Sequence, residues 1–169
     1  QTIIRDATEL QAMRNFKNLS DNFVLANNID LTSVTWTSIG QRNSDNDNYD
    51  NDFKGSFNGL GHTISNLTLN GNYTQSDYDI SSAPALFGNI AGGANIAGVR
   101  LSNANITNTS EENGGDYWAA PVAALVAEAR AEYDYDTSDF IAAPTIHNNI
   151  VTGSTIISSG TGSNVAAGG

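Results

Sequence analysis

The sequence predicts an all-β fold in which short strands stack in successive layers as a β-solenoid, with one short helix at the amino-terminal end. Short runs of alternating apolar and polar residues are separated by turns rich in Gly and Asn. Three of these runs resemble one another, which is typical of a repeat architecture. A length of 169 residues suits one such unit, so we expect residues 1–169 to form a single β-solenoid.

The capping helix is predicted over residues 7–17, within the segment DATELQAMRNFKNL. Asp6 is suited to cap it, and Glu9 lies three residues further on, as in a capping box. The apolar residues at helical spacing are Ala7, Leu10, Met13 and Phe16. A helix with this stripe would cover the first strands and block other chains from pairing there. An alanine-rich run at 119–131 has weaker helical character.

Strand chemistry follows the helix in NFVLANNIDL and VTWTSIG, and then repeats. The repeat is visible in HTISNLTLNGNYT, ANIAGVRLSNANIT and TIHNNIVTGSTII, which begin at residues 62, 94 and 145. Alignment of these stretches places Ile64, Ile96 and Ile146 in one column. The apolar columns together predict a core ladder of Ile64, Leu67, Leu69, Ile96, Val99, Leu101, Ile146 and Val151.

The predicted repeat length differs between the two intervals. The step is 32 residues from Ile64 to Ile96 (96 − 64) and 50 residues from Ile96 to Ile146 (146 − 96). The difference of 18 residues predicts an insertion, placed as a surface loop at 128–144. A second loop insertion is predicted at about 41–52, and the repeat rungs run from 53 to 169. APALFGNI at 83–90 matches VAALVAEA at 122–129, and the final SNVAAGG begins the same phrase again.

Stacking explains why the apolar spacing recurs. A single unit cannot bury its apolar face, whereas stacked units with strands about 4.8 Å apart pair their backbone groups and bury the isoleucine column. The far end, NVAAGG, carries no predicted cap. We therefore expect self-association by end-to-end stacking, or further repeats of the same chain, at that end.

Several phrases resemble the opening of bacterial surface proteins that carry GLUG-type repeats. These phrases are ELQAM, VLANNIDL, WTSIG, FKGSFNGLGHTISNLTL and ALFGNI. The resemblance covers most of the chain and is strongest over residues 53–69. It implies a right-handed parallel β-helix, a bacterial source, export to the cell surface and a role in large adhesin-like proteins. Alanines in VAALVA and NVAAGG stand where the family phrase has glycines.

Composition narrows the partners and the compartment. Eighteen acidic and seven basic residues give a net charge of −11, which repels nucleic acid. The chain has no cysteine for disulfides or thiolate metal sites. No apolar run reaches the roughly 20 residues of a membrane-spanning helix. Because the chain begins at Gln1 without Met, we expect a processed, exported and extracellular protein.

Two acidic loops are candidate calcium sites, since calcium prefers several oxygen ligands from a short loop. The first loop contains RNSDNDNYDND, and the second follows Glu132. The predicted metal ligands are Asp45, Asp47, Asp50, Asp52, Asp134, Asp136 and Asp139. Neither loop has the fixed glycine and closing glutamate of an EF-hand, and the alternative is that both are solvated acidic turns.

These observations favour a non-enzymatic, extracellular structural or adhesive β-solenoid, either a surface-protein stalk or a head-to-tail fibre subunit. The alternative is a carbohydrate-binding or carbohydrate-active module, with a groove lined by the loops at 41–52 and 128–140. Surface glycans are candidate partners, because tyrosines such as Tyr133 and Tyr135 lie in the irregular segments. Ice binding would need a sustained threonine column, which Thr63, Asn95 and Thr145 do not supply.

Overall fold

Strands dominate the structure. A computed structural model describes residues 1–15, 19–41, 51–74, 83–111, 121–160 and 167–168. Over these residues the helix is α1 (Ala7–Ala12). The strands are β1 (Thr2–Ile4), β2 (Asn22–Leu25), β3 (Ile29–Asp30), β4 (Ser56–Asn58), β5 (Thr63–Ser65), β6 (Thr68–Thr74), β7 (Phe87–Ala91), β8 (Asn95–Ala97), β9 (Arg100–Ser102), β10 (Asn105–Glu111), β11 (Val122–Ala123), β12 (Val126–Arg130), β13 (Glu132–Asp134), β14 (Asp139–Ala142), β15 (Thr145–His147), β16 (Ile150–Thr152), β17 (Thr155–Gly160) and β18 (Ala167–Gly168). The predicted all-β class is confirmed.

Three parallel sheets make up most of the structure. Their strand orders are β1-β2-β4-β8-β15, β16-β9-β5-β3 and β17-β10-β6. Every strand pair in these sheets is parallel. From β4 onwards the chain passes through these three sheets in turn, so each passage adds one strand to each sheet. We call β4, β5 and β6 the early layer, β8, β9 and β10 the middle layer, and β15, β16 and β17 the last layer.

The three layers are stacked in register. Ile96 lies opposite Phe57 in the early layer and Ile146 in the last layer. The second column contains Ile64, Leu101 and Val151, and the third contains Leu69, Ile106 and Ile156. Between the middle and last layers the predicted step of 50 residues (146 − 96) is confirmed in all three columns.

The predicted step between the early and middle layers is wrong. Ile64 pairs with Leu101, 37 residues further on (101 − 64), rather than with Ile96. Inward-facing apolar residues recur every five positions, at 96, 101 and 106, so an alignment shifted by one strand still matches apolar with apolar. The column of Ile96 is occupied in the early layer by Phe57, which the alignment did not include.

Burial of the predicted core ladder depends on the layer. The fully buried members are Ile64, Leu67, Ile96, Val99 and Leu101. Leu69 and Val151 are half-buried against the core. Ile146 is 44% exposed, which corrects its assignment to the core. The reason is its position in β15, the outermost strand of its sheet among the described residues.

Left-handed backbone conformations occur at matching turns and explain the Asn and Gly between strands. Asn66, Asn103 and Gly153 have φ values of 60°, 54° and 60° at the turn after β5, β9 and β16. Asn and Gly accept this conformation more easily than other residues do. The turn therefore repeats with the same handedness in each layer.

Helix α1 is shorter than predicted. It ends at Ala12 rather than at residue 17, and Phe16 lies outside the described residues. Asp6 caps it as predicted, accepting a hydrogen bond of 2.8 Å from the Glu9 N–H. The Glu9 carboxylate accepts from the Arg5 N–H at 2.7 Å, one residue before the capping-box position. Leu10 of the helix belongs to the buried core, as does Met13 just after it.

The alanine-rich run forms strands rather than a helix. Within the described part of that run, β12 pairs in parallel with β7, with Val126 opposite Phe87. This pairing confirms the match between residues 83–90 and 122–129. At the end of the described residues β18 pairs in parallel with β11, with Ala167 opposite Val122. Glu128 lies in β12, so the predicted loop insertion begins later than residue 128. It contains the antiparallel pair of β13 and β14.

Candidate interaction surfaces

The first candidate surface is the hairpin of β13 and β14, which we call the aromatic hairpin (residues 132–142). Its strands pair Tyr133 with Phe140 and Asp134 with Asp139. Four residues separate the two strands, and Ser138 has a left-handed φ of 57°. The predicted insertion is therefore an ordered hairpin, although the observed steps of 37 (101 − 64) and 50 (151 − 101) residues differ by 13 residues rather than by the predicted 18.

Three aromatic rings cluster on this hairpin. Tyr133 contacts Tyr135 and Phe140 edge to face, with centroids 5.1 Å apart in both pairs. Tyr135 is 86% exposed and Phe140 is 68% exposed, and Ile141 is also exposed. Large exposed aromatic side chains provide contact area for a partner with little loss of conformational entropy. The sequence identified the two tyrosines but missed Phe140, whose pairing with Tyr133 brings it to the cluster, and the exposed Ile141.

The acidic side chains of the hairpin organise its turn. Asp134 Oδ1 accepts hydrogen bonds from the N–H of Asp136 at 2.8 Å and of Thr137 at 3.4 Å. The hydrogen bond from Asp136 is the main cause that lowers the pKa of Asp134 below its ordinary value of 3.8. Asp139 Oδ1 accepts from the Phe140 N–H at 2.8 Å. These carboxylates stabilise the turn through local hydrogen bonds.

Ion pairs connect the base of the hairpin to the sheets. Arg130 at the end of β12 donates to the buried carboxylate of Asp52 and lies 3.6 Å from a carboxylate oxygen of Glu128. Lys54 Nζ lies 3.8 Å from Glu132 Oε1 in the first hairpin strand. These pairs fix the position from which the aromatic hairpin projects. Sequence reasoning missed the pair of Asp52 and Arg130 because 78 residues separate them.

The structure brings together only part of the predicted calcium site. Asp45, Asp47 and Asp50 lie outside the described residues, and Asp52 is paired with Arg130. Asp134 and Asp139 lie opposite one another in the hairpin. The ranges described by the structure contain no group of three or more His, Asp or Glu side chains suited to a metal ion. Calcium binding remains a prediction.

The second candidate surface is the outer side of the last layer. Among the described residues, β15, β16 and β17 are each the outermost strand of their sheet. Ile146 is in register with the buried Ile96, so it points inwards, yet it is 44% exposed. Ile150 is in register with the exposed Arg100, so it points outwards, and it is 48% exposed. The same residue type thus occurs at similar exposure on two different faces.

Comparison of the chain with protein-family models, curated proteins and solved structures gives no significant match. In the part of the chain that the structure describes, the geometry defines an all-β protein in which stacked layers of strands form parallel sheets and the aromatic hairpin projects from them. The resemblance to GLUG-repeat proteins stays a prediction. Over the described residues, no helix has the length and apolarity to cross a membrane.

Proposed function

We propose that this chain is a structural, non-enzymatic β-solenoid of an exported bacterial surface protein. The observation that supports it is the register of the three layers, in which apolar columns and parallel hydrogen bonds continue from one layer to the next. Such stacking gives a stiff, extended shape, because each layer contacts only its neighbours. In this proposal the coil is right-handed, as in the GLUG-type family, and serves as a stalk.

The adhesive part of the proposed function is assigned to the aromatic hairpin. Its exposed rings provide stacking surfaces, and its carboxylates are acceptors for hydroxyl groups. Residues 131–144 contain no Lys or Arg, so an acidic polymer would be repelled. The favoured ligand class is therefore a neutral surface glycan. A carbohydrate-binding function is compatible with this proposal, because the hairpin would bind the glycan without altering it. A carbohydrate-active enzyme is the competing proposal.

A glycan array probed with the purified chain tests the adhesive role. We expect binding to neutral glycans that falls about fivefold or more in Tyr135→Ser, because stacking of one ring contributes about 1 kcal/mol or more. Ile150→Ser is the matched control, since it removes an exposed apolar side chain from the last layer, away from the hairpin.

Two results would reject parts of this proposal. Release of new reducing ends from a bound glycan would replace the structural role with an enzymatic one. Equal binding by Tyr135→Ser, Ile150→Ser and the unaltered chain would remove the hairpin as the adhesive surface. Electron microscopy of the same samples, with and without a calcium chelator, checks the rod shape and the predicted role of calcium.

A further inference from the structure

We propose that the outer side of the last layer is a docking surface for one further layer of parallel strands with this chain's repeat pattern. The inference rests on the proposed solenoid function and specifies the partner of its open end. It favours a stalk built from further repeat layers over a fibre of head-to-tail subunits.

The apolar columns supply the first argument. Ile96, Leu101 and Ile106 of the middle layer are fully buried because strands lie on both sides of them. The residues that continue these columns in the last layer are Ile146, Val151 and Ile156. They have described neighbours on one side only and retain exposure. Covering them with equivalent residues would extend an interface that already exists twice in the molecule.

Backbone hydrogen bonds between layers supply the second argument, since they form regular series. One series involves the residue that directly follows β3, β5 and β9, whose N–H donates to a carbonyl of the next layer at 2.9 to 3.0 Å. The pairs are Leu31 N–H to Ser65 C=O, Asn66 N–H to Ser102 C=O and Asn103 N–H to Thr152 C=O. The next donor in this series, 50 residues after Asn103, is the N–H of Gly153.

Acceptors form matching series. Thr155 N–H donates to Ala104 C=O at 2.7 Å, Ile150 N–H donates to Val99 C=O at 2.9 Å and Thr145 N–H donates to Ala94 C=O at 2.8 Å. The next acceptors, 50 residues after these carbonyls, are Ser154, Asn149 and Pro144. The last layer therefore presents donors and acceptors in the spacing that a parallel strand layer satisfies.

Side chains also connect the existing layers across this type of interface. Asn149 Oδ1 accepts from the Val99 N–H at 2.9 Å while its Nδ2 donates to the Ile96 carbonyl at 3.0 Å. Ser154 Oγ accepts from the Ala104 N–H at 3.1 Å. A further layer could therefore form the same kinds of hydrogen bond that already join the middle and last layers.

Charge distinguishes the two ends of the stack. Residues 145–160 contain no Asp, Glu, Lys or Arg, although the chain has 25 of these residues (18 + 7). Natural edge strands are usually protected by charge, proline or a covering element. At the other end, β1 is the outermost strand of its sheet, and the charged side chains of Arg5 and Glu9, paired at 3.2 Å, and helix α1 come next in the chain. The amino-terminal end of a second copy is therefore a poor partner for the last layer.

The partner's sequence pattern follows from the two layers that share the 50-residue step. Apolar residues are required at positions i, i+5 and i+10, as in Ile96, Leu101 and Ile106. Asn or Gly is required at i+2 and i+7, where Gly98 and Asn103 have left-handed φ values of 64° and 54°. The positions i, i+5 and i+10 fill the columns, and the Asn or Gly positions form the turns.

The test uses the full chain and a labelled synthetic peptide copying residues 95–107, NIAGVRLSNANIT, which has this pattern. We expect saturable one-to-one binding by fluorescence anisotropy. Ile146→Ser should weaken it at least about tenfold, because an apolar contact in the column is lost. Ile150→Ser, the same substitution on the outward face, should change it less than about twofold. A control peptide carries Asn at its three column positions and should not bind.

Three results would overturn the proposal: no saturable binding at millimolar peptide, equal effects of Ile146→Ser and Ile150→Ser, or a dimer of the chain alone that the peptide does not dissociate. The last result would assign the surface to a second copy. Far-UV circular dichroism and electron microscopy of the same samples separate this failure from failure of the proposed function. A β-rich rod that does not bind the peptide rejects only the docking surface.

Discussion

The middle and last layers share one sequence pattern and one register, yet they differ in burial. Ile96 is fully buried, whereas Ile146, 50 residues later in the same column, is 44% exposed. Their local sequences, NIAGV and TIHNN, do not explain this difference. It arises from the number of neighbouring layers. In a stacked fold, burial is therefore a property of position in the stack as well as of the residue.

The largest expected effect tests this difference directly. Ile96→Ala should lower the free energy of unfolding by about 3 to 4 kcal/mol, because it leaves a cavity between two layers. Ile146→Ala should lower it by about 1 kcal/mol, because that side chain is already half in water. Urea denaturation followed by circular dichroism measures both values. Equal losses would mean that the last layer is covered in solution.

Close contact between the early and middle layers gives the second prediction. A Cβ added at Gly59 would lie 2.5 Å from the Gly98 carbonyl oxygen and 2.7 Å from the Val99 Cα. Gly59→Ala should therefore destabilise the chain by about 2 to 3 kcal/mol through displaced backbone. Gly93→Ala is the control, since a Cβ there has no atom of the described structure within 4 Å. Similar melting temperatures for the two variants would contradict the layer spacing.

Side-chain bridges between the middle and last layers give a smaller effect. Asn149→Ala removes the hydrogen bonds to Val99 N–H and the Ile96 carbonyl, and we expect a loss of about 1 to 2 kcal/mol. Asn148→Gly keeps the left-handed turn, where φ is 57°, and should be nearly neutral. Thermal unfolding compares the two variants. If Asn149→Ala does not change the stability, these side-chain hydrogen bonds do not stabilise the contact between the layers.

The smallest effect concerns pH and the amino-terminal part of the stack. The side chain of Asn66 is the main cause that lowers the pKa of Asp30 below 3.8, and hydrogen bonds from Thr32 add to it. The stabilisation from this lowered pKa is complete above about 3.8 and is lost as the pH falls through the lowered value. Carboxyl NMR titration should give a midpoint below 3.8 that rises in Asn66→Ala. A midpoint unaffected by that substitution would contradict the contact.

Part of this architecture was predictable from the sequence, because a repeated spacing of apolar residues indicates stacked strands. The 50-residue step was predictable, since the segments around Ile96 and Ile146 have the same strand spacing. The step between the early and middle layers was not predictable, because apolar residues spaced five positions apart allow the sequence alignment to shift by one strand. The pair of Asp52 and Arg130 depends on a contact between distant segments, which no local pattern encodes. The aromatic cluster was predicted in part, from its tyrosines.

Amide hydrogen exchange of the full chain shows whether the layers stack in register and whether the last layer is open. Asn103 N–H donates to Thr152 C=O at 2.9 Å, and Gly153 is its equivalent in the last layer. We expect slow exchange at Asn103 and fast exchange at Gly153, with protection of Gly153 after the peptide copying residues 95–107 binds. Fast exchange at Asn103 would contradict the stacking, and slow exchange at Gly153 in the chain alone would contradict the open layer.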